Sequence, residues 1–145
     1  PKIIVNQHFE DSFFPYNGSE IKKFMQELSR HSSPDLIFTH YRNDLHQDHR
    51  LISELTWNAF RDHWILEYEV PKYDGDLGSP NLFMPLTETI CHNKIDHIVH
   101  YYRSQRSKNW FTRETFLSLL RLRGIECNSA SGYAEACYCR KIVLG

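Results

Sequence analysis

The sequence predicts one α/β domain spanning residues 1–145, with a mostly parallel sheet and helices on both of its faces. Three observations predict it. Short apolar runs alternate with stretches whose apolar residues recur at helical spacing. The 145 residues suit one domain, large enough to bury roughly two-thirds of its unfolded surface. No internal repeat, low-complexity segment or linker-like break divides the chain.

In order, Ile3 to Gln7 reads as a short buried strand, and His8 to Ser19 as a loop with turn signals at Pro15 and Asn17-Gly18. Ser19 is placed to cap a helix from Glu20 to about Arg30, whose apolar side is Ile21, Phe24, Met25 and Leu28. Ser33-Pro34 ends it. Asp35 to Thr39 is a second strand, and a loop runs from His40 to His49. The helix from Arg50 to about Arg61 carries Leu51, Ile52, Leu55 and Phe60 on its apolar side. Trp64 to Val70 is a third strand. Pro71 to Pro80 is a long polar loop, followed by the short apolar segment Leu82-Phe83-Met84. Thr87 caps a long helix from Glu88 to about Tyr102, a further helix spans about Arg113 to Leu122, and Tyr133 to Val143 closes the chain as a strand.

Composition narrows the function classes. Hydrophobic content of 41% and aromatic content of 14% describe a folded chain. With 17 basic and 18 acidic residues the net charge is -1, which gives no electrostatic case for nucleic acid or an anionic membrane. No apolar run approaches the ~20 residues of a membrane span, and no signal peptide is visible. Cys91, Cys127, Cys137 and Cys139 form no C-x-x-C pair, so a zinc ribbon or redox motif is disfavoured. Cys137 and Cys139 would share one face of a strand as small core residues. Reduced thiols suit a cytoplasmic location. The sequence leaves the oligomeric state open, a homo-oligomer included. Because the chain starts at Pro1 without a Met and reaches the apolar run Ile3-Ile4-Val5 at once, it reads as part of a longer polypeptide.

The chemistry concentrates in His46-Gln47-Asp48-His49, between an apolar strand and a helix start. Open α/β sheets place ligands at such corners. Imidazole is the commonest metal ligand and the usual acid or base near neutral pH. His46 and His49 are three apart and face one direction if the turn is helical. The competing reading is structural, since His and Asp are good loop and cap residues. Two His alone do not name a metal, because zinc usually takes three protein ligands. His40 lies close enough to line the same pocket. His31, His63, His92, His97 and His100 read as helix-surface residues. Arg103, Arg106 and Lys108 read as a solvated helix end, with binding of a phosphate or a base as the alternative. Tyr68, Tyr73, Asp74, Asp76 and Asn81 belong to a region that either shapes a pocket or is a solvated crossover.

The segment Asp35-Leu36-Ile37-Phe38-Thr39-His40, continued by Asn43-Asp44-Leu45-His46-Gln47-Asp48-His49-Arg50, resembles the second signature of the PIG-L/LmbE-like deacetylases. Lys94 with Ser104-Gln105 is similar to that family's K-x-x-x-L…S-Q element. Tyr133-Ala134-Glu135-Ala136 is similar to its closing A-E-A-F element. Asp11, between Phe9 and Pro15, resembles an aspartate-containing loop before the second signature. The resemblance implies a Rossmann-like fold and a zinc-dependent hydrolase that removes an acetyl group from an N-acetylglucosamine-type sugar or conjugate. It implies His49 as a zinc ligand, His46 as the oxyanion-stabilising imidazole, and Asp48 as the carboxylate that orients His46. Asp11 and Arg42 would contact the sugar.

The family's first signature, A-H-P-D-D-E, is absent. His8-Phe9-Glu10-Asp11 presents similar residue types but lies too near the second signature for the family's order of strands. The expectation is therefore a C-terminal portion lacking its first strands, with further zinc ligands and the general base on a segment outside this chain. The alternative is a non-catalytic module that binds a sugar or nucleotide-sugar.

Overall fold

The computed structural model describes residues 3–142. Four strands, β1 (Leu36–His40), β2 (Trp64–Tyr68), β3 (Leu82–Pro85) and β4 (Ala134–Cys139), form one sheet in the order β1-β2-β4-β3. Four helices cover it: α1 (Gly18–His31), α2 (Gln47–Ala59), α3 (Glu88–Tyr101) and α4 (Arg113–Glu126). The sheet is mixed. β1 and β2 pair in parallel, while β4 lies antiparallel between β2 and β3. Thus β1, β2 and β3 run one way and β4 alone runs against them.

The connections explain why β4 alone runs against the other three strands. A single helix, α2, links β1 to β2 and returns the chain to its starting direction, as a crossover must. Two packed helices, α3 and α4, lie between β3 and β4 and leave the chain reversed. Nothing in residue periodicity counts helices per connection.

One element differs outright. Ile3 to Gln7 forms no strand, and Ile3, Ile4 and Val5 are exposed. Their apolar character suits a strand, but no sheet neighbour among the described residues pairs with them. The final strand ends at Cys139, earlier than expected, and Val143 lies outside the described residues. The short segment Leu82–Pro85 does pair, as the edge strand β3.

Caps account for the helix ends. The Thr87 hydroxyl accepts from the Ile90 amide at 3.3 Å, as expected, and Thr112 plays the same part for α4. Helix α1 starts at Gly18, without a capping side chain, immediately after the 3-10 turn Phe14–Asn17.

The core has two clusters. Trp57, Phe60 and Ile65 join α2 to β2, with Leu28 of α1 and Ile37 of β1 packed against them. Cys91, Ile95, Phe111, Phe116 and Leu120 join α3 to α4. Cys137 is buried and Cys139 half-buried, and all four cysteines are free thiols. Lys94 of α3 forms an ion pair with Glu135 of β4, so two of the family-like segments meet directly. No described helix is long and apolar enough to cross a membrane.

Candidate active site

The chain between β1 and α2 is built around one carboxylate, that of Asp44, which is 2% exposed. Its Oδ1 accepts from the His46 amide at 2.7 Å and lies 3.1 Å from Lys72 Nζ. Its Oδ2 lies 2.9 Å from His49 Nδ1. Burial pushes Asp44 upward, but the bonds from His49, the His46 amide and Lys72 outweigh it and hold the carboxyl at about 2. Asp44 is therefore ionised at neutral pH.

That charge sets the ring of His49. An ionised carboxylate only accepts, so the nitrogen facing it must carry the proton. His49 is held as the Nδ1–H tautomer, with the Nε2 lone pair free. His46 is set the other way. As the N-cap of α2, its Nδ1 accepts from the Asp48 amide at 3.3 Å, so its proton sits on Nε2. The two rings lie 4.5 Å apart.

His40, at the end of β1, stacks on His49 with ring centroids 3.8 Å apart and an interplanar angle of 5°. Its Nε2 lies 3.3 Å from the Tyr68 hydroxyl, and its buried Nδ1 has no partner among the described residues. Burial, then the neighbouring His49, pushes His40 down to about 4, so it is neutral. Burial also raises the Tyr68 hydroxyl to about 12.

Asp48 is buried, but its carboxylate does not touch His46. Oδ2 accepts from the Ser12 amide at 2.7 Å and Oδ1 from the Phe14 amide at 3.2 Å. Gln47 bonds the Ser12 carbonyl. These contacts dock the turn holding Asp11 onto the first turn of α2, across a left-handed Ser12 with φ 68°. Asp11 is exposed beside it. Arg42 is exposed, and its amide donates to Glu67 Oε2 at 2.9 Å. The other oxygen of Glu67, which is 1% exposed, accepts from Trp57 Nε1.

The polar loop after β2 reaches the site through Lys72, and through Asp76, which accepts from the Leu45 amide at 2.7 Å. Its far end is fixed by Arg123, which bonds Glu69 and the Gly78 carbonyl, and by Tyr138, which accepts from the Gly78 amide.

His40, Asp44 and His49 each offer a ligand atom within 4.8 Å of the others. Orientation argues against their acting together. Imidazole lone pairs lie in the ring plane, so two cofacial rings cannot both aim at one ion about 2.0–2.1 Å from each nitrogen. Lys72 also holds an ammonium against Asp44. His49 alone fits a zinc ligand, with Nδ1 bound to a carboxylate and Nε2 free, the usual arrangement of metal-bound histidine.

Sequence reading brought His46, Asp48 and His49 to one corner, and the structure joins Asp11 to it through Asp48. Asp44 and Lys72 were missed. Asp44 stood within the signature but at no recognisable ligand spacing, and no sequence signal links Lys72 to it.

Fold and site define a mixed-sheet α/β domain with a carboxylate-held histidine where a parallel strand feeds a helix. Residues 2–60 match the family model PIG-L, described as GlcNAc-PI de-N-acetylase, in agreement with the motif resemblance to the PIG-L/LmbE-like proteins. The chain is similar in structure to the conserved protein TT1542 from Thermus thermophilus, with TM-score 0.68 and 21% identity over 94% of this chain and 65% of that one. It is also similar to N,N'-diacetylchitobiose deacetylase from Pyrococcus horikoshii, with TM-score 0.59 and 19% identity over 90% of this chain and 54% of that one. The chain thus spans about half to two-thirds of the length of these two proteins. No curated protein sequence matches it.

Proposed function

We propose that the protein is a zinc-dependent hydrolase that removes the N-acetyl group from an N-acetylglucosamine-type sugar or conjugate, and that its sheet is part of a Rossmann-like sheet with helices on both faces. The observation that carries the reading is the pair of opposite partners at Nδ1, a backbone amide for His46 and a carboxylate for His49, on a segment that matches the PIG-L family model. His49 would hold zinc through Nε2. Its remaining ligands and the general base lie outside residues 1–145, a placement supported by the length of the two similar structures. A zinc ion held there would supply a water acidic enough to act as nucleophile near neutral pH.

His46 directs its Nε2–H at the acetyl carbonyl oxygen and stabilises the negative charge that develops there. The departing amine would take the proton that the general base removes from the attacking water. Asp48 orients His46 through its amide and holds the Asp11 turn in place through its carboxylate. Asp11 and Arg42 contact the sugar. A cytoplasmic location and a small-molecule amino-sugar substrate complete the reading.

The presence of one well-oriented donor among the described residues also supports a second reading, a sugar-binding module without catalysis. Acetate release from N,N'-diacetylchitobiose by the full-length protein, measured with its zinc content, separates the two. Stoichiometric zinc with acetate release supports the hydrolase. Sugar binding without either supports the module.

A further inference from the structure

The resemblance assigns no part to Asp44, yet this residue holds the whole corner together. Both its oxygens are committed, Oδ1 to the His46 amide and Lys72, Oδ2 to His49. Lys72 is itself buried, 8% exposed, and is shared with Asp76 and Asp74. A carboxylate between a fixed ammonium and two N–H donors is poorly placed to ligate a divalent cation. It is well placed to fix an imidazole. Nothing else in the described structure bonds His49 Nδ1, so nothing else decides where the ring proton sits.

We propose that Asp44 is the positioning residue of this site: it holds His49 as the Nδ1–H tautomer and so presents Nε2 to zinc. The inference rests on the reading of His49 as a zinc ligand. A carboxylate behind a metal-bound histidine fixes ring orientation and raises ligand basicity, and losing one typically lowers metal affinity about 10- to 100-fold.

The structure makes a specific forecast for Asp44→Asn. The groups facing Oδ1 are both donors, the His46 amide and the Lys72 ammonium, so the amide oxygen of asparagine must take that place. Its NH2 then faces His49 Nδ1 and can only donate. The ring must accept there and move its proton to Nε2, which closes the nitrogen meant for zinc. A near-isosteric change should invert the tautomer.

The test is nitrogen-15 NMR of histidine-labelled, zinc-free full-length protein at about pH 8, with zinc affinity measured separately by chelator competition. The expected result is Nδ1–H at His49 in the wild type, Nε2–H in D44N, and zinc binding about 10- to 100-fold weaker in D44N. A wild-type His49 protonated on Nε2 overturns the inference without recourse to any variant. So does weaker zinc binding in D44N with an unchanged tautomer, because the loss would then come from the removed charge and not from the position of the ring proton. If the wild type binds no zinc, the hydrolase reading falls, while the tautomer measurement still decides the part played by Asp44.

Discussion

His46 and His49 lie with rings 4.5 Å apart and meet opposite partners at Nδ1: a backbone amide faces that of His46 and a carboxylate faces that of His49. Adjacent imidazoles therefore offer different chemistry outward: a donor at His46 and a lone pair at His49.

The proposed roles separate in their variants. His49→Ala should abolish tight zinc binding. His46→Ala should retain zinc and lose about 10²- to 10³-fold in kcat, the usual cost of one oxyanion donor. Bound zinc measured beside acetate release decides it; equal zinc loss in both variants would collapse the distinction.

Arg123 should matter to stability and not to zinc. Its side chain is 7% exposed and meets Glu69, 4% exposed, at 2.5 Å. Arg123→Met leaves Glu69 buried without its cation, which typically costs about 3–5 kcal/mol. A urea melt should show this, and Glu69→Gln in the same chain should recover part of it. A midpoint unchanged in Arg123→Met would mean the pair is dispensable.

Gly78 is required by close approach. A Cβ there would lie 2.7 Å from the Tyr138 hydroxyl and 3.2 Å from that of Tyr41, two rings stacked 3.7 Å apart. Gly78→Ala should destabilise by about 1–3 kcal/mol, as overpacking does. Tyr138→Phe removes the nearer obstacle, so the double variant should be more stable than the sum of the single changes. Strict additivity in thermal melts would rule out the clash.

Acid should weaken the fold in two windows. The His40 imidazole falls from 6.5 to about 4 on folding, so the unfolded chain takes up this proton first. Stability then declines as pH drops from about 6.5 to 4. The Asp44 carboxyl falls from 3.8 to about 2, and its contribution, complete above 3.8, is lost between 3.8 and 2. Urea midpoints taken across pH should flatten in the first window for His40→Gln; an unchanged slope there would place the acid sensitivity elsewhere.

Much of the architecture was legible because it is local. The helices follow from apolar spacing and hydroxyl caps, as at Thr87, and β1 and β2 from short apolar runs. The site's location was legible for the same reason: His46, Asp48 and His49 lie within four residues at a helix start, where backbone geometry alone brings them together.

The sequence by itself determined most of the elements, the corner at His46–His49 and the match of residues 2–60 to the PIG-L family model. Tertiary structure decided what depends on distant segments. The exposed Ile3-Ile4-Val5 run lacks a strand neighbour among the described residues, and the two-helix connection reverses β4. The partners of the site carboxylates were likewise a tertiary matter. Asp48 bonds the amides of Ser12 and Phe14, while Asp44 meets Lys72 from the loop beyond β2. A carboxylate accepts from whichever donor the fold delivers within about 3 Å, and spacing along the chain does not encode that delivery.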